Sequence, residues 1–368
     1  MMYDLIVKFT LSAGTLFIMF NIAGLLTWVE RKQSAVMQDR IGANRASIFG
    51  FKAMGMFHAL ADVLKMLSKE EFIPEGANKF LFNLAPYLSV IFALVGFSAI
   101  PIGGALVFNH HIIELQAANL NIALIFIFAM MSMGVYGVVL AGFSSNNNYA
   151  FLGGMRGAAQ MIAYEITMGA AIMGVIMVFN TLDLQALDRA QGAYLFGGWL
   201  PKWGVFVQPL SFFLFLTAAT AETKRTPFDL PEGESEIIGY FVEYSGMKFG
   251  MFFLADLVET VLVAALMTTL FFGGWQVPYL HWDGFHFPWG GYIAPPHFWI
   301  FSANFMVVSL GVLCFFIKVA FFIWVLMAVR WTLPRFRYDQ LMNLGWKILL
   351  PVSLINIALT AIVITLFG

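Results

Sequence analysis

The chain has 368 residues, of which 60% are hydrophobic, 17% aromatic and only 11% charged, with a formal net charge of −1. A soluble domain of this length needs roughly twice that density of charge to keep its surface wet, so lipid must solvate this chain. The balanced charge gives no footprint for nucleic acid. A single cysteine, Cys314, lies inside an apolar run and reads as a small core hydrophobe. One thiol excludes an intrachain disulfide and a Cys-ligated iron–sulfur cluster, so any redox centre belongs to a partner.

The first apolar run, "LSAGTLFIMFNIAGLLTW", is too long for the core of a signal peptide and has only Lys8 ahead of it and no small-x-small site before "ERK". It reads as a retained helix. With about 20 apolar residues to a crossing, eight spans are predicted, at 5–29, 83–107, 119–142, 158–180, 204–222, 247–272, 298–329 and 343–366. Pro101 allows the second to end near Ile100. The seventh is longer than a perpendicular crossing needs, so it either tilts or emerges from the bilayer. Fifteen of the 20 basic residues fall on alternate loops: from Arg31 to Lys79, at Arg156, from Lys224 to Lys248, and from Arg330 to Arg337. The opposite loops offer Arg189 and Lys202 and carry Trp199, Trp203, Trp275, Trp282, Trp289 and Trp299. The positive-inside rule and the interfacial tryptophans then place both termini outside. No repeat, low-complexity tract, soluble domain or nucleotide-cradling glycine motif interrupts this pattern.

The inner loops carry the chemistry. "FGFKAMGMFHALADVLKMLSKEEF" reads as an amphipathic helix with Phe57, Leu60, Leu64 and Leu67 as its apolar stripe. His58, Asp62, Lys65 and Lys69 follow at helical spacing. Such a helix either lies on the membrane or lines a cavity with Asp62 and Lys65 one turn apart on its wall. "AETKRTPFDLPEGESEIIGYFVE" gathers Glu222, Asp229, Glu232, Glu234, Glu236 and Glu243, six of the 21 acidic residues. Pro227 and Pro231 exclude one continuous helix. Pro231 is well suited to begin a new one, with Glu232 and Glu234 favoured by its dipole. That leaves Glu222, Glu236 and Glu243 unexplained, with only Lys224, Arg225 and Lys248 to balance them; a solvated acidic face is the plain alternative.

Deeper still, Glu165 lies about two turns into the fourth predicted span, Asp256 and Glu259 stand three residues apart on the sixth, and Lys318 is flanked by "CFFI" and "VAFF". A charge at the centre of a lipid-facing helix costs about 2.5–3.5 kcal/mol, so these groups face the interior. Either Lys318 forms an ion pair with one of the acids, or the acids continue a polar path. In such a path, crowded and desolvated carboxyls exchange protons near neutral pH. His281, Asp283 and His286 are a weak metal candidate in a Trp-rich outer loop, and His110 and His111 read as solvated.

At this point five motifs are recognisable: "ERKQSAVMQDRIGANR", "YAFLGGMRGAAQMIAYEIT", "AETKRTPFDLPEGESE", "EYSGMKFGMFFLAD" and "RWTLPRFRYDQLMNLGWK". In that order, from about Leu16 to the C-terminus, the chain resembles the H subunits (subunit 1) of respiratory complex I, the proton-pumping NADH:quinone oxidoreductase. The resemblance implies an all-α polytopic membrane protein, one transmembrane domain over 1–368. Loop 30–80 would form the membrane part of a quinone chamber and loop 222–247 an acidic funnel. It also implies a subunit of an enzyme that carries no cofactor itself. Quinone is the substrate, and iron–sulfur clusters and flavin sit on partner subunits. The implied partners are peripheral iron–sulfur subunits, antiporter-like membrane subunits and the bilayer of a bacterial cytoplasmic membrane.

Carried over residue by residue, Arg31, Arg40, Asp62 and Lys65 match chamber-lining positions, with Phe228 in the adjoining loop. Glu222, Arg225, Asp229, Glu232, Glu234, Glu236 and Glu243 match the funnel. Glu165 matches the carboxylate that passes the signal towards the antiporter-like subunits, and Asp256, Glu259 and Lys318 extend the expected proton path. Three departures stand out. Ala43 replaces a usual Pro, Asp256 replaces a usual Glu, and the stretch from Glu236 to Glu243 is one residue shorter than in many relatives. An energy-converting hydrogenase membrane subunit is the alternative, although its acidic loop is built differently. A stand-alone transporter would show internal repeats with broken helices.

Overall fold

The computed structural model describes residues 2–108, 111–195, 198–233, 236–281, 284–293 and 303–367. Helix α1 (Met2–Met37) runs 36 residues and carries Glu30 and Arg31 beyond the predicted end of the first span. A short 3₁₀ turn precedes α2 (Phe57–Ser68), the amphipathic helix expected from the sequence. Helix α3 (Lys79–Phe97) starts where the Asn78 side chain accepts the N–H of Leu81. It ends at Phe97, ten residues before the predicted 107 and close to the Ile100 end that Pro101 allowed, because Pro101 biases its neighbour away from helix and Gly103 and Gly104 follow. The chain instead forms β1 (Ala105–Phe108), paired antiparallel with β2 (His111–Glu114).

Helix α4 (Ala123–Ser144) turns directly into α5 (Asn148–Phe179), which begins ten residues earlier than the predicted fourth span. Glycine, arginine and glutamine depress the hydropathy of that first stretch, but the glycines are there for close packing. A Cβ on Gly142 would lie 2.6 Å from the carbonyl oxygen of Ala150, and one on Gly157 would lie 3.1–3.2 Å from Val138 and Pro231. Glu165 therefore sits near the middle of α5, not two turns from its start.

At the far end follow α6 (Leu184–Gln191), the strand pair β3 (Tyr194–Leu195) and β4 (Leu200–Pro201), and α7 (Gly204–Val207). The predicted fifth span is broken here. Pro209, which cannot donate a backbone N–H, opens α8 (Pro209–Glu222) as a separate helix of 14 residues. At about 1.5 Å per residue α8 spans roughly 21 Å, short of a hydrocarbon core of about 30 Å. Helix α9 (Gly246–Phe271) forms the centre of the bundle, packed by α1, α3 and α10. A small sheet, β5 (Leu280–His281), β6 (Gly284–His286) and β7 (Tyr292–Ile293), precedes α10 (Ala303–Thr332). Helix α11 (Tyr338–Asn343), a π-helical turn (Leu344–Leu349) and α12 (Leu350–Phe367) complete the chain.

Seven helices among the described residues are long and apolar enough to cross a membrane, with α8 as a shorter apolar eighth. The fold is an all-α polytopic membrane protein. The α4–α5 contact gives a direct test. Gly142→Val should destabilise the protein by about 1–3 kcal/mol, because its Cβ would meet the Ala150 carbonyl. Gly14→Ala, where nothing lies within 4 Å, should not. Equal thermal unfolding midpoints for the two variants would contradict this packing.

Candidate functional site

Helix α2 lies against α1 and the start of α9 and closes a cavity of about 500 Å³ lined by Arg31, Asp62, Lys65, Met66 and Tyr244 among others. Arg31 reaches across from α1 to the Asp62 carboxylate at 2.6 Å. The helix has the two faces that its spacing predicts. Leu60, Leu64 and Leu67 stay exposed on its outer stripe, while Asp62 and Lys65 face the cavity. Arg40 lines an adjoining pocket of about 310 Å³ with Arg31, Arg45 and His58. There His58 Nε2 accepts the backbone N–H groups of Arg45 and Ala46 at 3.1 and 3.2 Å, which pins the loop to α2. Phe228 lines neither cavity. It is buried, stacked on Phe336 with ring centroids 5.4 Å apart and packed against Tyr164.

The acidic segment folds into the end of the bundle. Lys224, buried just past α8, bridges Asp256 at 2.9 Å and Glu259 at 3.3 Å. Burial alone would lower its ammonium's pKa, but the charges of Asp256 and Glu259 outweigh burial and hold it well above the ordinary lysine range. Arg225 faces Glu30 at 3.6 Å, and Glu30 also accepts from Arg330. Asp229 accepts from Arg335 at 2.7 Å; burial still pushes its carboxyl up to about 6, against the pull of that guanidinium. Burial, reinforced by the charges of Asp256 and Asp229, also raises the Glu232 carboxyl well above the carboxylate range. Glu222 is 1% exposed, and neither of its carboxyl oxygens has a partner among the described residues. It lies within electrostatic reach of Glu259 and Glu165, and Glu165 accepts from Ser132 of α4. At the rim, Glu236 pairs with Arg156 at 2.9 Å and Glu243 accepts from Asn147 at 2.7 Å, which ties the loop to the α4–α5 turn.

Several expectations need correction. No helix begins at Pro231. The segment runs as turns in which the Gly233 carbonyl accepts the N–H groups of Glu236, Ile237 and Ile238, so helix-dipole stabilisation does not account for Glu232. Glu234 lies outside the described residues. Lys318 does not join the acids: its ammonium donates to the carbonyls of Phe272, Gly274 and Gln276 at 2.7–3.0 Å and lies 4.8 Å from the Trp203 ring. Those are the unsatisfied carbonyls at and beyond the C-terminus of α9, where a cation is favoured. Phe272 follows Glu259 by 13 residues, about 20 Å along a helix, with Val261 to Met267 buried between. His281 and His286 have ring centroids 5.2 Å apart. His110, Trp282, Asp283 and Trp299 lie outside the described residues, and among those described no group of three His, Cys, Asp or Glu is placed to hold a metal.

Sequence reasoning missed Glu30, Arg330 and Arg335 as members of the site and named Lys224 only as a counter-charge to the loop acids, not as the partner of Asp256 and Glu259. Each lies at or beyond the end of a span, where a charge reads as an ordinary flanking residue. Only the meeting of α1, α8, α9 and α10 at one end makes them partners. Glu30 could have been found in "ERK", since it is the acid closest to the first apolar run.

A family model described as NADH dehydrogenase matches residues 10–361. The chain is 43% identical over 339 residues to the H subunit of the NADH-quinone oxidoreductase of Flavobacterium johnsoniae, covering 92% of this chain and 89% of that one. It is 43% identical over 347 residues to the corresponding H subunit of Cytophaga hutchinsonii, covering 94% and 93% of the two chains. Against the H subunit of Geobacter metallireducens it is 40% identical over 364 residues, covering 99% and 98%. With this match along nearly its whole length, the chain belongs to the NADH dehydrogenase family of membrane proteins, that of the H subunits of NADH-quinone oxidoreductase.

Proposed function

We propose that the chain forms the membrane wall of a quinone-binding chamber and couples quinone reduction to proton movement. One observation carries this reading. Glu30 and Arg31 are adjacent on α1, yet Arg31 faces the cavity through Asp62 while Glu30 belongs to the buried ion-pair network. A change of charge in the cavity is thus one residue away from the acids. The cavity's mostly apolar wall suits an isoprenoid-bearing ring, and Arg31 and Lys65 are placed to donate to its carbonyl oxygens.

Electrons reach the quinone from iron–sulfur and flavin cofactors held by partner subunits. As the ring gains electrons and protons, its pull on Arg31 changes, and the Arg31–Asp62 pair loosens or tightens. The adjacent Glu30 shifts its sharing between Arg225 and Arg330. Lys224 then sees a different balance from Asp256 and Glu259, and the unpartnered Glu222 is the group poised to take or give a proton. Glu165 hands the charge on towards antiporter-like subunits packed beyond α4 and α5. The loop-bearing end faces the cytoplasm, so both termini lie outside a bacterial cytoplasmic membrane. The relatives' names favour quinone over the hydrogenase alternative.

Two outcomes are expected in the assembled complex. Arg31→Ala should raise KM for a short-chain quinone about tenfold, the loss of a charge-assisted contact, while NADH oxidation by a soluble acceptor stays unchanged. An unchanged KM would remove Arg31 from quinone binding. Glu165→Gln should leave assembly and soluble-acceptor turnover intact but abolish most quinone-linked proton translocation. Full pumping in both Glu165→Gln and Glu222→Gln would end the proton-path reading.

A further inference from the structure

At the end of the bundle opposite the ion-paired loops, α8 and α9 stop short of the far side of the bilayer. Arg330 of α10 meets Glu30 at the loop-bearing end, and Lys318 stands 12 residues towards the other end of the same helix, about 18 Å away. The carbonyls that Lys318 caps, those of Phe272, Gly274 and Gln276, therefore lie at outer-leaflet depth in a hydrocarbon core of about 30 Å. An outstretched lysine stem closes only part of the remaining gap, and any tilt of α10 widens it. Helix α8 is short on the same side, where it opens at Pro209. The height left over both helices is taken by β3–β4 and β5–β7.

The segment that follows α9 is not built for water. From Gly273 to Ser302 the sequence has one charged residue, Asp283, and ten aromatic residues among 30. A segment held out in water would carry about one charge in four residues. Strand pairing sorts its side chains. Leu280, Phe285 and Ile293 pair across β5, β6 and β7 and share one face of the sheet. Tyr279, His286 and Tyr292 form the next row, on the opposite face. Tyr279 stacks on Tyr194 with ring centroids 5.4 Å apart, so the histidine and tyrosine face is docked at that edge on β3–β4 and the apolar row faces away from it. Trp199 in the β3–β4 turn and Trp289 in the β6–β7 turn join the two units, their ring centroids 6.5 Å apart, yet they are 62% and 67% exposed. His281 and His286 are exposed on one face and Ile293 on the other.

We propose that β5–β7 and the β3–β4 turn form an interfacial plate that rests in the outer leaflet of the bilayer. Acyl chains lie against the Leu280–Phe285–Ile293 row, Trp199 and Trp289 sit at the level of the glycerol and headgroups, and the histidine face is turned to water. Indole and phenol rings, apolar in body and polar at one edge, suit that level. A neighbouring subunit laid over the sheet would cover the apolar row with protein. A phase boundary instead keeps an exposed histidine face wet and an exposed apolar face in lipid at one height. The plate thereby fills the part of the leaflet that α8 and α9 leave. Neither quinone binding nor proton transfer enters this surface, so it stands or falls apart from them.

The test puts photoreactive benzoylphenylalanine in place of Ile293 or of His286 in the whole complex, held in nanodiscs of phosphatidylethanolamine and phosphatidylglycerol. Both positions are exposed, so neither change disturbs the core. After irradiation, mass spectrometry separates lipid adducts from cross-linked subunits. Position 293 should give about tenfold more lipid adduct than position 286, because the two side chains lie on opposite faces of the sheet. Equal yields at the two positions would overturn the plate. Cross-linking of position 293 to another subunit, without lipid adducts, would make the apolar row a protein contact and overturn it as well. A second measurement needs no new side chain in the sheet row. With brominated acyl chains in the nanodisc, the wild type should show more quenchable tryptophan emission than the Trp199→Phe/Trp289→Phe variant. Identical quenching in the two would remove the tryptophan pair from the lipid and end the assignment.

Discussion

The loop-bearing end of the molecule depends on one interaction, the buried ammonium of Lys224 held between Asp256 and Glu259. Two carboxylates on one face of a central helix are costly to bury alone, and a lysine buried without them would be equally costly. Together they leave one excess negative charge and bring the loop after α8 down onto α9. Glu30 repeats the arrangement with the charges reversed, one carboxylate between the guanidinium groups of Arg225 and Arg330. The acidic segment is solvated only in part: Glu222 and Asp229 are buried, while Glu236 stays exposed at the rim. Its own Lys224 and Arg225 tie it to α9 and α1, and Arg335 holds Asp229, so breaking a buried pair would leave its partner uncompensated.

This arrangement also separates the two ends of α9. The acids and Lys224 occupy the first half, Lys318 and the carbonyls it caps lie beyond the second, and fully buried Val261 to Met267 stand between. No titratable side chain of α9 bridges that apolar stretch. Glu222 lies within electrostatic reach of both Glu259 on α9 and Glu165 on α5. The opposite end is built from small strand pairs and the α6 segment, and its charges serve local anchoring, as in the Arg189–Glu114 pair.

Composition and hydropathy determined the class of protein, the order of the spans and the grouping of basic residues at one end. All of these follow from the energy of moving side chains between water and lipid, which each residue type carries wherever it sits. The helical period likewise determined α2 and both of its faces. The motifs determined the family. Boundaries were less legible where glycine and proline intervene. Pro101 and Pro209 stop or restart helices, and the Gly142–Gly157 region hides the start of α5 because glycine lowers hydropathy while permitting close packing.

Only the tertiary structure decided which charges meet. From the sequence, Lys318 was as good a partner for Asp256 as Lys224, since both are cations beside apolar runs. The fold puts one at each end of α9. Glu30, Arg330 and Arg335 read as ordinary flanking charges until the fold buries Glu30 between Arg225 and Arg330 and brings the exposed Arg335 onto Asp229. Pairing in a low-dielectric interior falls off over a few ångströms, a distance that sequence separation does not encode for residues 195 or 300 positions apart, such as Glu30 with Arg225 and Arg330.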